Sequence, residues 1–188
     1  MKKLSLIATL LLTVLLLQKC KKDTVSASTT SNTLLFAVIN DTSWNADTVN
    51  AAITYNSIAK TKVFNCSAIA KNKELKWSVT QTTNVLNTAG FPLTTFNADS
   101  ANGNSFSYYT SQKNSSGVFV LAPLGTVSGG SGNLTVTAVD SVKKTITGTF
   151  SFTAKKFNYD DNGNVISVTI SQIIAGAFNN MPYTFNSN

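Results

Sequence analysis

Thr145-Ile146-Thr147-Gly148-Thr149-Phe150-Ser151-Phe152-Thr153-Ala154 is the stretch on which the fold turns. Ile146, Phe150, Phe152 and Ala154 share one parity, and Thr145, Thr147, Thr149, Ser151 and Thr153 share the other. That two-residue alternation belongs to a strand with one face in the core and one in water, and a helix cannot produce it. The same alternation runs through Val49/Ala51/Ile53/Tyr55, Phe64/Cys66/Ala68, Leu75/Trp77/Val79, Leu134/Val136/Ala138 and Ile166/Val168/Ile170. Clusters of Asn, Gly, Asp and Lys separate the runs. Together they predict an all-β domain, an antiparallel β-sandwich of about eight to ten strands, with a closed or partly open antiparallel barrel as the alternative.

Turn chemistry places two hairpins. Asp161-Asn162-Gly163-Asn164 joins the strand ending near Phe157 to the one starting at Val165, because Asn-Gly tolerates the positive φ angles of a type I′ turn. Asn72-Lys73 turns the strand Lys62 to Ala70 into the strand Glu74 to Thr82. The apolar parity changes from even at Ala154 to odd at Phe157 and Tyr159, which predicts a bulge or strand end at Lys155-Lys156. Residues 83 to 104, with Gly90 and Pro92, read as a long connection. Val127 to Gly132 reads as a flexible loop whose glycines lack the lysine and helix of a phosphate cradle.

Ahead of the domain, Lys2 and Lys3 precede a charge-free apolar run from Leu4 to Leu17. A basic start and an apolar run too short to span a bilayer describe a signal peptide over residues 1–19. Leu17-Gln18-Lys19-Cys20 resembles a bacterial lipobox, in which the Cys is lipidated; Lys19 stands where a small residue is usual. Cleavage after Val25-Ser26-Ala27 is the rival reading. Acyl chains such as palmitate on Cys20 add about 0.8 kcal/mol of membrane affinity per buried methylene, enough with several chains for a permanent anchor. Residues 20–33, rich in Ser, Thr and Lys, read as a flexible tether, and residues 34–188 as one domain.

The net charge of +7 is concentrated at the start. After Lys22 ten lysines face eight acidic residues, a balance that favours solubility and argues against nucleic acid. Lys60/Lys62, Lys71/Lys73/Lys76, Lys143/Lys144 and Lys155/Lys156 read as guards of sheet edges. With Cys20 assigned to lipid, Cys66 has no disulfide partner and reads as a buried, unreactive thiol.

The chain has no His, no Arg and a single glutamate, Glu74, so a His-based triad, a histidine metal site and an arginine phosphate clamp are excluded. No catalytic residue, metal or cofactor is expected, and the protein is read as a non-enzyme. A hydrolase built on two of Asp41, Asp47, Asp99, Asp140, Asp160 and Asp161 is the enzymatic alternative. Asn158 to Gly163 fits the first half of a calcium loop, but Thr169 replaces the closing Glu, so a hairpin turn is the better reading. Thr24, Thr48, Ser100 and Ser141 follow Asp and precede an aliphatic residue, a pattern that resembles the O-glycosylation acceptor of Bacteroidetes-type exported proteins and implies candidate acceptors, with turn chemistry ahead of a strand as the alternative. Trp44, Tyr108 and Tyr109 are candidates for stacking a ligand, and the core is the competing home for such rings, as it is for Phe91, Phe96 and Tyr183.

Three stretches carry a resemblance: Val38 to Ala46, Thr147 to Ala154, and Val168-Thr169-Ile170 with Gly176-Ala177-Phe178-Asn179-Asn180. They resemble a family of Bacteroidetes-type lipoprotein β-domains of unknown function. The resemblance implies an exported β-domain over residues 34 to 185 and supplies no activity or site residue. The expectation is a lipid-anchored lipoprotein of the cell envelope, at the outer membrane, acting as a binding or accessory module for a glycan, a peptide or an envelope protein. A purely structural envelope component and the paired-Asp hydrolase are the alternatives.

Overall fold

The structure, a computed structural model, describes residues 33–188, and Thr33–Asn188 form one compact unit. Cys20, Thr24, the expected signal peptide and the expected tether up to residue 32 lie outside the described residues. Twelve strands follow in order: β1 (Leu35–Ile39), β2 (Thr42–Asn45), β3 (Thr48–Asn56), β4 (Thr61–Ala70), β5 (Lys73–Gln81), β6 (Thr95–Asn97), β7 (Ser105–Lys113), β8 (Phe119–Pro123), β9 (Gly132–Asp140), β10 (Thr145–Tyr159), β11 (Val165–Pro182) and β12 (Thr184–Ser187). They form two six-stranded sheets. Sheet I has the order β2-β1-β11-β10-β9-β6 and sheet II the order β12-β3-β4-β5-β7-β8. The end strands of neither sheet pair, so the fold is a sandwich and not a barrel.

Two details depart from expectation. β2, β6 and β12 have four, three and four residues, too short to show a period, and they raise the strand number above that expected. β12 runs parallel to β3, the one parallel pair among antiparallel ones. Turn positions also shift. Lys71 and Asn72, both left-handed (φ 49 and 61), make the two-residue turn of β4 and β5, one residue earlier than Asn72-Lys73. In the β10–β11 turn only Gly163 is left-handed (φ 82), and its N–H donates to the Asp160 carbonyl at 3.0 Å, so this is a longer turn than type I′.

The core is aromatic and crosses both sheets. Phe64 of β4 meets Trp77 of β5, Phe91 of the 82–94 connection and Phe178 of β11, with ring centroids 6.0, 5.7 and 6.1 Å away. Trp77 also lies 5.0 Å from Phe150 and 5.6 Å from Phe178. Each such contact adds about 0.5–1.5 kcal/mol beyond the area it buries. Two glycines make room. On the paired strands Gly148 faces Phe178 and Phe150 faces Gly176, so each ring covers the other strand's glycine. A Cβ on Gly176 would sit 2.6 Å from the Phe150 ring, and one on Gly148 would collide with the Phe178 ring and the Thr135 carbonyl.

β11 bends around this centre. The register slips opposite Ile146/Gly148 and Phe150/Phe152, and Asn180 (φ 45) and Ala175 (φ 49) supply the left-handed residues of the extra segments. The long connection is fastened over the core by Lys62, whose ammonium donates to the Thr88 and Gly90 carbonyls at 2.8 Å each. Tyr183 Oη donates to the Ala89 carbonyl. Lys62 is therefore no edge guard: it is buried, and burial lowers its pKa.

Lys155 and Lys156 correct another expectation. They pair regularly with Ile170 and Thr169, without a bulge. The parity change marks the place where β10 leaves the sandwich: its pairing with β9 ends at Phe152–Gly132, and an isolated bridge to Thr126 at Lys155 is its last neighbour on that side. Ile166, Val168 and Ile170, read as half of a buried alternation, are exposed for the same reason.

Opposite stability changes are expected at two positions on this pair of strands. Gly148→Ala should cost about 1–3 kcal/mol through overpacking. Ala175→Gly should gain about 0.5–1 kcal/mol by relieving a left-handed alanine, after the entropy of the unfolded glycine is counted. Urea titrations of both variants check this, and a neutral Gly148→Ala would contradict the interlocked packing.

Candidate functional site

The three candidate stacking aromatics separate. Trp44 and Tyr108 are core residues at 3 % exposure each, with Trp44 Nε1 donating to the Ala70 carbonyl at 3.1 Å. Neither presents a ring face to solvent, which removes both from a stacking surface. Phe91, Phe96 and Tyr183 are buried as well. Tyr109, next to Tyr108 on β7 and so on the other face, is half-buried on the outside of sheet II.

Around Tyr109 the outer face of sheet II carries a short polar network. Glu74 pairs across the strands with Tyr109, and Ser67 pairs with Lys76. Ser67 Oγ donates to Glu74 Oε1 at 2.6 Å, and Lys76 Nζ lies 3.1 Å from the same oxygen and 4.6 Å from the Tyr109 ring centre. Glu74 is nearly buried yet has two partners, which compensates the loss of its water. Charge and ring hold each other in place.

Lys76 also borders a concavity of about 630 Å³. Its floor comes from the outer row Asn50–Ser67–Lys76 and its neighbour Ala52–Asn65, and Pro182 and Thr184 close it where the chain crosses from sheet I to sheet II. Small side chains on three adjacent strands leave the hollow, because Ala, Ser and Asn cannot fill the space above a sheet. The signal was present in the sequence as the polar parity of β3 and β4, but parity alone does not distinguish a flat solvated face from a recessed one.

The chemistry available elsewhere is limited. Cys66 is buried against Met181, Sγ to Sδ 4.0 Å, and burial pushes its thiol pKa far up. Asp140 accepts the N–H groups of Val142 and Lys143, and Asp160 those of Asn162 and Asn164. Asp99 accepts from Ala101 and caps the single helical turn Ser100–Asn102. These carboxylates spend their lone pairs on turns. Among the described residues no cluster of three or more His, Cys, Asp or Glu is present. No described helix is long and apolar enough to cross a membrane. Thr48, Ser100 and Ser141 are exposed, at the start of β3 and in two turns. The chain matches no family model, no curated protein and no solved structure.

Backbone N–H groups hold the Asp140 and Asp160 carboxyls below their usual value of 3.8, Lys143 being the first donor to Asp140 and Asn164 to Asp160. A depressed folded pKa favours the fold above the unfolded value, and the contribution is lost as pH falls through the folded one. Carboxyl resonances followed by NMR should titrate below 3.8 at both positions. A catalytic acid needs a raised carboxyl, so a midpoint well above that value at either would revive the paired-Asp hydrolase.

Proposed function

We propose that this chain is an exported, non-enzymatic binding module, anchored through lipid on Cys20, that holds a neutral glycan in the hollow on the outside of sheet II. The hollow carries the reading. Its volume lies in the range of small-ligand sites, and Asn50, Asn65 and Ser67 converge on it with amide and hydroxyl groups. The one cation at its border, Lys76, is balanced by Glu74, so the site favours an uncharged partner. Tyr109 stands beside Lys76, and a sugar face laid on its ring would displace an ammonium held there by about 0.5–1 kcal/mol. The engagement of three aspartates in turns supports a binding role over hydrolysis. Anchorage at the outer membrane rests on the lipobox-like Leu17-Gln18-Lys19-Cys20 and on the resemblance of the three motifs to envelope lipoproteins.

Binding is tested by adding chitohexaose, xylohexaose and maltoheptaose to isotopically labelled protein and following amide shifts. Shifts confined to Asn50, Asn65, Ser67, Lys76, Tyr109 and Thr184, weakened at least about fivefold by Asn65→Ala or Tyr109→Ala, are expected. No shift with any of the three, or shifts remote from the hollow, would contradict the glycan reading. Anchorage is tested separately by metabolic labelling with a clickable fatty acid, which should be lost in Cys20→Ala.

A further inference from the structure

β10 and β11 continue past the sandwich as a ribbon of two strands paired only with each other. Among the described residues no strand other than β11 pairs with β10 beyond the Thr126–Lys155 bridge, and the last pairing of β11 with β1 is at Ile173. Along this ribbon the polarity of sheet I is inverted. The face continuing the core carries Lys156, Asn158, Ser167 and Thr169, with Asn158 Nδ2 donating to Ser167 Oγ at 2.9 Å. The face continuing the solvent side carries Phe157, Tyr159, Val165, Val168 and Ile170, exposed by 45, 58, 51, 43 and 51 %. A two-stranded ribbon is marginal in water by itself, and a contiguous apolar face of this kind marks an interface.

Charge selects the occupant. Lys155 closes the apolar row at the base of the ribbon, beside Ile170, and Asp160 and Asp161 stand in the turn at its tip. Among the described residues none of the three forms an ion pair. Two ribbons can meet face to face about a two-fold axis lying in the interface, in two ways. An axis along the strands sets Lys155 on Lys155 and tip on tip. An axis across the strands lays the base of each ribbon over the tip of the other, and each Lys155 then meets the acidic turn of the other copy. The tip carboxylates also oppose insertion into a bilayer, where such groups are costly.

We propose that a second copy of this chain covers the ribbon, the two packing apolar face on apolar face in opposite directions, with Lys155 of each copy against the Asp160–Asp161 turn of the other. Phe157 and Val168, directly paired across the ribbon, then sit close to the axis and meet their own symmetry mates. The face spans only three cross-strand pairs, less than the surface of a standard stable complex, so the dimer is weak, with a dissociation constant on the order of 100 μM.

Sedimentation equilibrium of the compact unit 33–188, taken to concentrations above that constant, tests this. The wild type should follow a monomer–dimer equilibrium, and Phe157→Ser should abolish the dimer. Lys155→Asp and Asp161→Lys should each weaken it about tenfold, while the two combined should restore it, since the swap rebuilds the opposite pairing. All three side chains are exposed, so circular dichroism should be unchanged. A protein that stays monomeric throughout overturns the proposal, as does a dimer indifferent to Phe157→Ser, or a double variant no better than the singles. Phe157-dependent binding to phosphatidylethanolamine vesicles by a protein that remains monomeric would overturn it in favour of a lipid surface.

Discussion

The reciprocal seating of Phe150 over Gly176 and of Phe178 over Gly148 is the contact on which the rest of the sandwich depends. Only glycine lets the two rings lie flat against the opposing strand, and only in that position do they reach Trp77 and Phe64 from the other sheet. The stack joins the sheets, and the bulges at Ala175 and Asn180 bend β11 so that its remaining inner residues follow. Trp77 Nε1 has no hydrogen-bond partner in this stack, a cost of about 1–3 kcal/mol accepted for aromatic packing.

From that centre the two proposed binding surfaces follow as consequences of where large side chains are placed. Sheet II sends its bulk inward through Phe64, Trp77 and Phe106, and around Asn50, Ala52, Asn65, Ser67 and Thr184 its outer face is low enough for a hollow beside the Glu74–Lys76–Tyr109 network. Sheet I runs out of partner at Phe152, yet β10 and β11 go on, and their apolar residues change to the solvent side. A chain that only needed a sandwich would have turned there.

The all-β class, the core parity of β3, β4, β5 and β10 and of β9 as far as Val136, and the buried state of Cys66 were legible because alternation reports burial directly wherever one face is covered; Ala138, expected on the core face, is exposed because the register of β9 slips between Val136 and Ala138. The same rule misread Ile166, Val168 and Ile170, since it assigns the apolar face to the core and cannot see that the core has ended. Lys62 was mistaken for an edge residue because its partners, the carbonyls of Thr88 and Gly90, lie in a connection without any periodicity. Of the aromatics, Tyr109 was separable from Tyr108 only as opposite faces of one strand, and which face was outer depended on Phe106 packing against Phe152. The hollow was legible only as the polar parity of β3 and β4: its depth arises from how three strands and the crossing at Pro182 are brought together, which is a tertiary fact.

β10–β11 divide into a locked centre and a ribbon that depends on its partner, and native-state amide hydrogen exchange along these strands measures that division directly. Residues 146–154 and 173–181 should exchange only through global unfolding, and residues 156–159 and 165–170 should exchange far faster in dilute protein and slow as concentration rises. Uniform protection along the full length of both strands, independent of concentration, would contradict it.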